Sequence, residues 1–97
     1  MSDKILKHPC PCCGYYTLEE EMYDICPVCF WEDDPIQNDT PTYTGGANIL
    51  SLEQSKKNYH LYGCSNLLFL SYCRPPLPEE LPENQPQNQP AATAAKP

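Results

Sequence analysis

Two cysteine clusters carry most of the chemistry in this sequence. The first is Cys10-Pro11-Cys12-Cys13-Gly14 and the second is Cys26-Pro27-Val28-Cys29. Taken as Cys-Pro-x-Cys, each places two sulfurs at a C-x-x-C spacing, with twelve residues between the pairs. Zinc prefers four soft or borderline ligands in a tetrahedron, and two such pairs supply four thiolates. Cys10, Cys13, Cys26 and Cys29 are therefore the expected ligands of a closed, structural Zn2+ site. The neighbouring residues suit that role. Proline fixes φ and helps the chain turn so that both sulfurs point inward. Gly14 permits a left-handed turn, and backbone N–H groups in such a turn can aim at thiolate sulfur. Four thiolates also suit iron, which is the competing metal.

The remaining cysteines divide differently. Cys12 lies between two expected ligands and reads as a bystander thiol at the variable position of the turn. Its competing roles are an alternative ligand or a reactive thiol beside the metal. Cys64 and Cys73 read as buried small apolar residues, since free cysteine is often fully buried, and the competing reading is a pair bridging the helix end to the last strand. A thioredoxin-type use of C-x-x-C needs a βαβ scaffold, for which the chain is too short. His8 is too close to Cys10 to join the tetrahedron easily, and His60 reads as an ordinary helix residue. Trp31 is expected to pack over the metal site or against the hairpin. The acids that follow it, Glu32, Asp33 and Asp34, read as a solvated turn. Gly45-Gly46-Ala47-Asn48 lacks the lysine and spacing of a phosphate loop and is expected to turn the backbone before a helix.

The elements that must hold these residues follow from local pattern. Tyr15, Thr17 and Leu18 suit one strand, and Met22, Tyr23 and Ile25 a returning strand, with glutamates near the turn. The competing assignment is a short helix through Leu18–Tyr23. Residues 30–50 are rich in turn signals and predict an irregular loop. Ser51 and Gln54 form a capping-box pair at the start of a helix. That helix places Leu52, Tyr59 and Tyr62 on one face, and Gly63 is the expected stop. Residues 66–73 predict a short buried strand that ends before Pro75-Pro76. From Pro75 the chain is polar and proline-rich, which predicts a disordered tail anchored at its start through Leu77 and Leu81.

Composition sets the outer limits. Of 97 residues, 12 are proline and 7 cysteine, and the formal net charge is −7. All the cysteines and tyrosines fall before Pro75, so the expected folded unit is residues 1–74, with 75–97 as tail. At that size an apolar core alone is marginal and a metal staple is common. A large enzyme cleft is not expected. No run approaches the roughly 18 apolar residues of a membrane span. Between His8 and Ser55 there is no Lys or Arg, but nine acids. Such a stretch repels nucleic acid and anionic membranes. A protein with a basic surface is the expected partner. The N-terminus lacks the apolar core of a signal peptide, so the expected compartment is the reducing cytoplasm.

Together, Cys10–Tyr15, Thr17-Leu18, Tyr23–Asp34, Gln37, Gly45–Asn48, Ser51-Leu52, Asn58-Tyr59 and Gly63 resemble the bacterial-type cysteine-rich CPCC family. The likeness runs from about Cys10 to Gly63 and extends more weakly into Arg74–Glu80. It implies a small zinc-binding domain, with the four cysteines of the two Cys-Pro-x-Cys turns as ligands. It implies no established activity and no catalytic residue. The expected fold is small α+β: a zinc-ribbon-like hairpin with two Cys-Pro-x-Cys turns, an irregular loop and one helix. The expected role is a non-enzymatic interaction module with an acidic surface. The alternatives are a zinc-ribbon accessory of transcription or nucleic-acid machinery, with Glu19–Glu21 at the hairpin tip, and a thiol switch using Cys12.

Overall fold

The computed structural model describes residues 7–19 and 22–86. Each cysteine cluster is closed by its own hydrogen bonds, and the two closures match. In the first, the Cys10 N–H donates to Tyr15 O at 2.8 Å and the Gly14 N–H to Cys10 O at 2.8 Å. In the second, Cys26 N–H donates to Trp31 O at 2.9 Å and Phe30 N–H to Cys26 O at 2.8 Å. The two turns therefore repeat one local motif sixteen residues apart, with Phe30 where the first has Gly14. Both residues are left-handed, with φ of 84° at Gly14 and 71° at Phe30. Glycine adopts that conformation freely, whereas a phenylalanine there is strained by about 1 kcal/mol or more. The strain at Phe30 is offset by ring stacking. Its ring lies 4.9 Å from Phe69 and 5.3 Å from Tyr72.

This closure changes the expected hairpin. Strand β1 (His8–Pro9) pairs antiparallel with β2 (Tyr16–Leu18) around the first turn. Ile25 bridges Glu32 around the second. The strand expected through Met22–Ile25 does not pair with β2. Tyr23 turns the chain at φ 60°, and Asp24 caps the turn, its carboxylate accepting from Glu19 N–H at 2.7 Å and Ile25 N–H at 3.0 Å. Closing a short loop around each turn costs less chain entropy than joining the two turns to each other. The expected hairpin tip at Glu19–Glu21 lies partly outside the described residues.

Helix α1 (Pro35–Asp39) is short and starts at Asp34, whose side chain accepts from the N–H groups of Ile36 and Gln37. Helix α2 (Leu52–Tyr62) has the expected ends. Ser51 Oγ accepts from Gln54 N–H at 3.1 Å, and Gln54 Oε1 accepts from Ser51 N–H at 3.0 Å. Gly63 closes the helix at φ 82°. Leu52 is buried and Tyr59 packs on the core, but Tyr62 stays exposed.

The strand expected at 66–73 is a 3-10 helix, Leu67–Tyr72. Asn66 redirects it: its Oδ1 accepts from Leu68 N–H and its backbone oxygen from Phe69 N–H. The segment kinks at Phe69 (φ −108°, ψ 15°), and Phe69 and Tyr72 both lie against the Phe30 ring. Leu67, Leu68, Leu70 and Tyr72 are exposed, so the run is not the buried strand its apolarity implied.

Structure continues past Pro75, where a tail was expected. Two 3-10 turns follow, Pro78–Glu80 and Pro82–Asn84. Glu80 anchors them, not the leucines. Its carboxylate takes both guanidinium nitrogens of Arg74, at 2.9 and 2.7 Å, and the Leu77 N–H at 2.8 Å. Glu80 is buried, Leu77 is exposed and Leu81 half-buried. The Arg74 hydrogen bonds hold the Glu80 carboxyl below its ordinary range. Residues 87–97 lie outside the described residues. Among the described residues no helix is long and apolar enough to cross a membrane.

Candidate metal centre

The buried core is built largely of cysteine. Cys10, Cys12, Cys26 and Cys29 pack with Leu18, Val28, Trp31 and Leu52, and Cys13, Tyr15 and Tyr59 cover them. Helix α2 reaches this core through Leu52 and Tyr59, the latter meeting Tyr15 edge-on at 6.2 Å.

Within the core the two turns face each other and bring together Cys10, Cys13, Cys26 and Cys29. Their sulfurs all lie within 4.8 Å of one another. The pairing crosses between turns: Cys10 and Cys29 sulfurs are 3.6 Å apart, and Cys13 and Cys26 sulfurs 3.7 Å. A metal bound to four sulfurs at about 2.3 Å makes a tetrahedron with edges of about 3.8 Å. The donor set and spacing therefore fit a tetrahedral metal ion. Four protein sulfurs complete such a shell without water.

The sulfurs are not equivalent. Cys26 Sγ accepts from Thr17 Oγ1 at 3.0 Å, Val28 N–H at 3.4 Å and Cys29 N–H at 3.5 Å. Hydrogen bonds from the neighbouring thiols, Cys10 first, together with that from Thr17, hold Cys26 far below the ordinary thiol range. The hydrogen bond with Cys10 is also the main cause that pushes Cys13 and Cys29 up. A divalent cation is what lets all four ionise together.

Cys12 stands outside this foursome, although it is buried. In the repeat it corresponds to Val28, which is also buried, so it fills an apolar position of the motif. Cys64 is fully buried, and burial pushes its thiol up. Cys73 is half-buried and pushed up to about 11, chiefly by burial, with its thiol donating to Phe69 O. All seven cysteines are free thiols. Ser65 N–H ties the Cys64 segment to Cys29 O at 2.8 Å. His8 and His60 are both exposed, and neither belongs to the sulfur group.

The acidic loop after Trp31 is not the solvated turn it resembled. Asp33 and Asp34 are buried. Asp33 accepts from Asn38 Nδ2 at 2.6 Å, and Asn38 Oδ1 accepts from the Trp31 indole N–H at 3.1 Å. Asp34 accepts from Ala47 N–H at 2.8 Å, the main cause that holds its carboxyl low. Gln37, fully buried, fastens the whole loop. Its Nε2 lies 3.0–3.1 Å from the carbonyls of Tyr43, Asn48 and Leu50. Its Oε1 accepts from both Asn48 N–H and Asn48 Nδ2 at 2.9 Å. Asn48 then pairs with the backbone of Glu32 in both directions. Gly46 is needed for close approach: a Cβ there would lie 2.5 Å from Asp34 Oδ2 and 2.9 Å from Gln37.

Spacing alone pointed to none of Thr17, Gln37 or Asn48. The family resemblance ran through all three without giving them a role, and the Gly45-Gly46 pair hinted at a tight turn or close backbone approach. Comparison with known families finds a family model, described as cysteine-rich CPCC, that matches residues 8–80. No curated protein matches the chain.

Proposed function

The chain belongs to the cysteine-rich CPCC family, and from that premise we propose that it is a non-enzymatic protein-interaction module built on a structural zinc ion. The observation that supports this reading is the sulfur foursome at tetrahedral spacing in the centre of the core. Cys10, Cys13, Cys26 and Cys29 would hold the ion. When bound, it neutralises thiolate charge and ties the two Cys-Pro-x-Cys turns together. Four sulfurs leave no position for substrate or water, which favours structure over catalysis.

The surface favours a protein partner. Leu61, Tyr62, Leu67, Leu68, Leu70 and Tyr72 form a run of exposed large apolar residues after the site. Aromatic residues are enriched at interfaces. The net charge of −7 favours a partner with a basic surface, although Asp33, Asp34 and Glu80 are turned inward and spent on hydrogen bonds. Affinity capture at low and high salt tests this. Partners with basic surfaces that dissociate as salt rises are the expected result. Recovery of only acidic or neutral partners, insensitive to salt, would count against the reading.

A further inference from the structure

The metal centre has one protein hydroxyl aimed at it among the described residues, and that hydroxyl is placed by an irregularity in the sheet. β1 and β2 pair His8 with Leu18 but Pro9 with Tyr16, so Thr17 is the extra residue of a bulge. Consecutive strand residues normally point to opposite faces. Here Thr17 and Leu18 are both buried, at 3% and 1% exposure. Bulges re-aim side chains in this way next to functional sites. Thr17 N–H bonds locally to Tyr15 O at 3.0 Å, which leaves the side chain directed inward, and its Oγ1 donates to Cys26 Sγ at 3.0 Å.

The repeat shows that this contact is not a by-product of the turn. Thr17 lies seven residues after Cys10, and the corresponding residue after Cys26 is Asp33. The Asp33 side chain instead accepts from Asn38 Nδ2 at 2.6 Å. One turn thus supplies a hydroxyl donor to the other turn's first cysteine, and nothing equivalent returns.

We propose that Thr17 is a positioning residue of the metal centre, whose hydroxyl orients Cys26 Sγ and makes it the anchoring sulfur. A hydrogen bond to a thiolate withdraws charge from sulfur and fixes its direction toward the metal. This inference rests on the metal reading above and adds to it a residue that is not a ligand.

Co2+-loaded protein tests it. Thr17→Val keeps the branched shape and removes the donor, whereas Thr17→Ser keeps the donor. Loss of the donor leaves Cys26 richer in charge. The sulfur-to-cobalt charge-transfer band of Thr17→Val is expected to move to lower energy, and chelator competition to show about 10–100-fold weaker binding. Thr17→Ser is expected to match wild type in both. A Thr17→Val protein with the wild-type band and affinity would overturn the proposal, as would a Thr17→Ser protein as impaired as Thr17→Val. Should Thr17→Val fail to fold, Thr17→Ser decides alone: wild-type band and affinity support the role, and their loss overturns it. Wild-type protein that takes up no Co2+ would instead sink the metal reading itself, and this inference with it.

Discussion

Stripping the metal from loaded protein with a strong chelator is expected to unfold the domain, helix α2 included. The four-cysteine cluster sits where a larger protein would have an apolar core. Cys10, Cys26 and Cys29 are almost completely buried, and they pack directly on Trp31, Leu18, Val28 and Leu52. Without a cation the four sulfurs cannot all be thiolates, so the turns lose their common attachment. Structural zinc contributes an apparent ~10–16 kcal/mol at neutral pH, and small domains have a net stability of only ~5–15 kcal/mol. Trp31 is the single tryptophan and is fully buried, so it reports directly. Its emission should shift to that of a solvated indole on chelation, the helical circular dichroism should fall with it, and both should return on adding Zn2+. Acid should have the same effect, because protons compete with metal for thiolate. An emission spectrum unchanged after complete chelation would show that the core stands without the ion.

The second large effect is expected at Gln37, which is not one of the four clustered cysteines. Gln37→Leu nearly preserves volume but removes the Gln37 side-chain contacts to Tyr43, Asn48 and Leu50, leaving Asp34–Ala47 and Glu32–Asn48 to hold the loop. The carbonyls of Tyr43, Asn48 and Leu50 lose their donor, and Asn48 loses its acceptor. An unmet buried polar group costs about 1–3 kcal/mol, so a loss of roughly 3–5 kcal/mol is expected in denaturant unfolding of the loaded protein. Gln37→Glu should also destabilise, because a carboxylate would face those carbonyls. Metal stoichiometry should be unchanged, since no ligand lies in this loop. A loss under about 1 kcal/mol would mean that the loop is held by something other than its hydrogen-bond network.

What could be read from sequence was what is local. The Ser51–Gln54 box and Gly63 define α2 through neighbours three or four residues away, and the helix forms where they place it. The Cys-Pro-x-Cys spacing is equally local, and it singled out the four sulfurs that come together. The features that did not show depend on partners distant in sequence. Asp33 and Asp34 look like a solvated turn until Asn38 and Ala47 are placed against them. Glu80 looks like part of a polar tail until Arg74 closes on it. The run Leu67–Tyr72 has strand composition, but Asn66 caps a 3-10 helix there instead. The expected hairpin failed for a related reason. The pairing lies within each turn, and composition cannot distinguish that from pairing between them.

The most direct test is the metal content of the purified protein and of its cysteine variants, by elemental analysis. A single zinc ion per chain is expected in wild type. It should be lost in Cys10→Ser, Cys13→Ser, Cys26→Ser and Cys29→Ser, and kept in Cys12→Ser, Cys64→Ser and Cys73→Ser. Retention of the metal in any two of the first four variants, or its loss in Cys12→Ser, would contradict the four-sulfur centre described here.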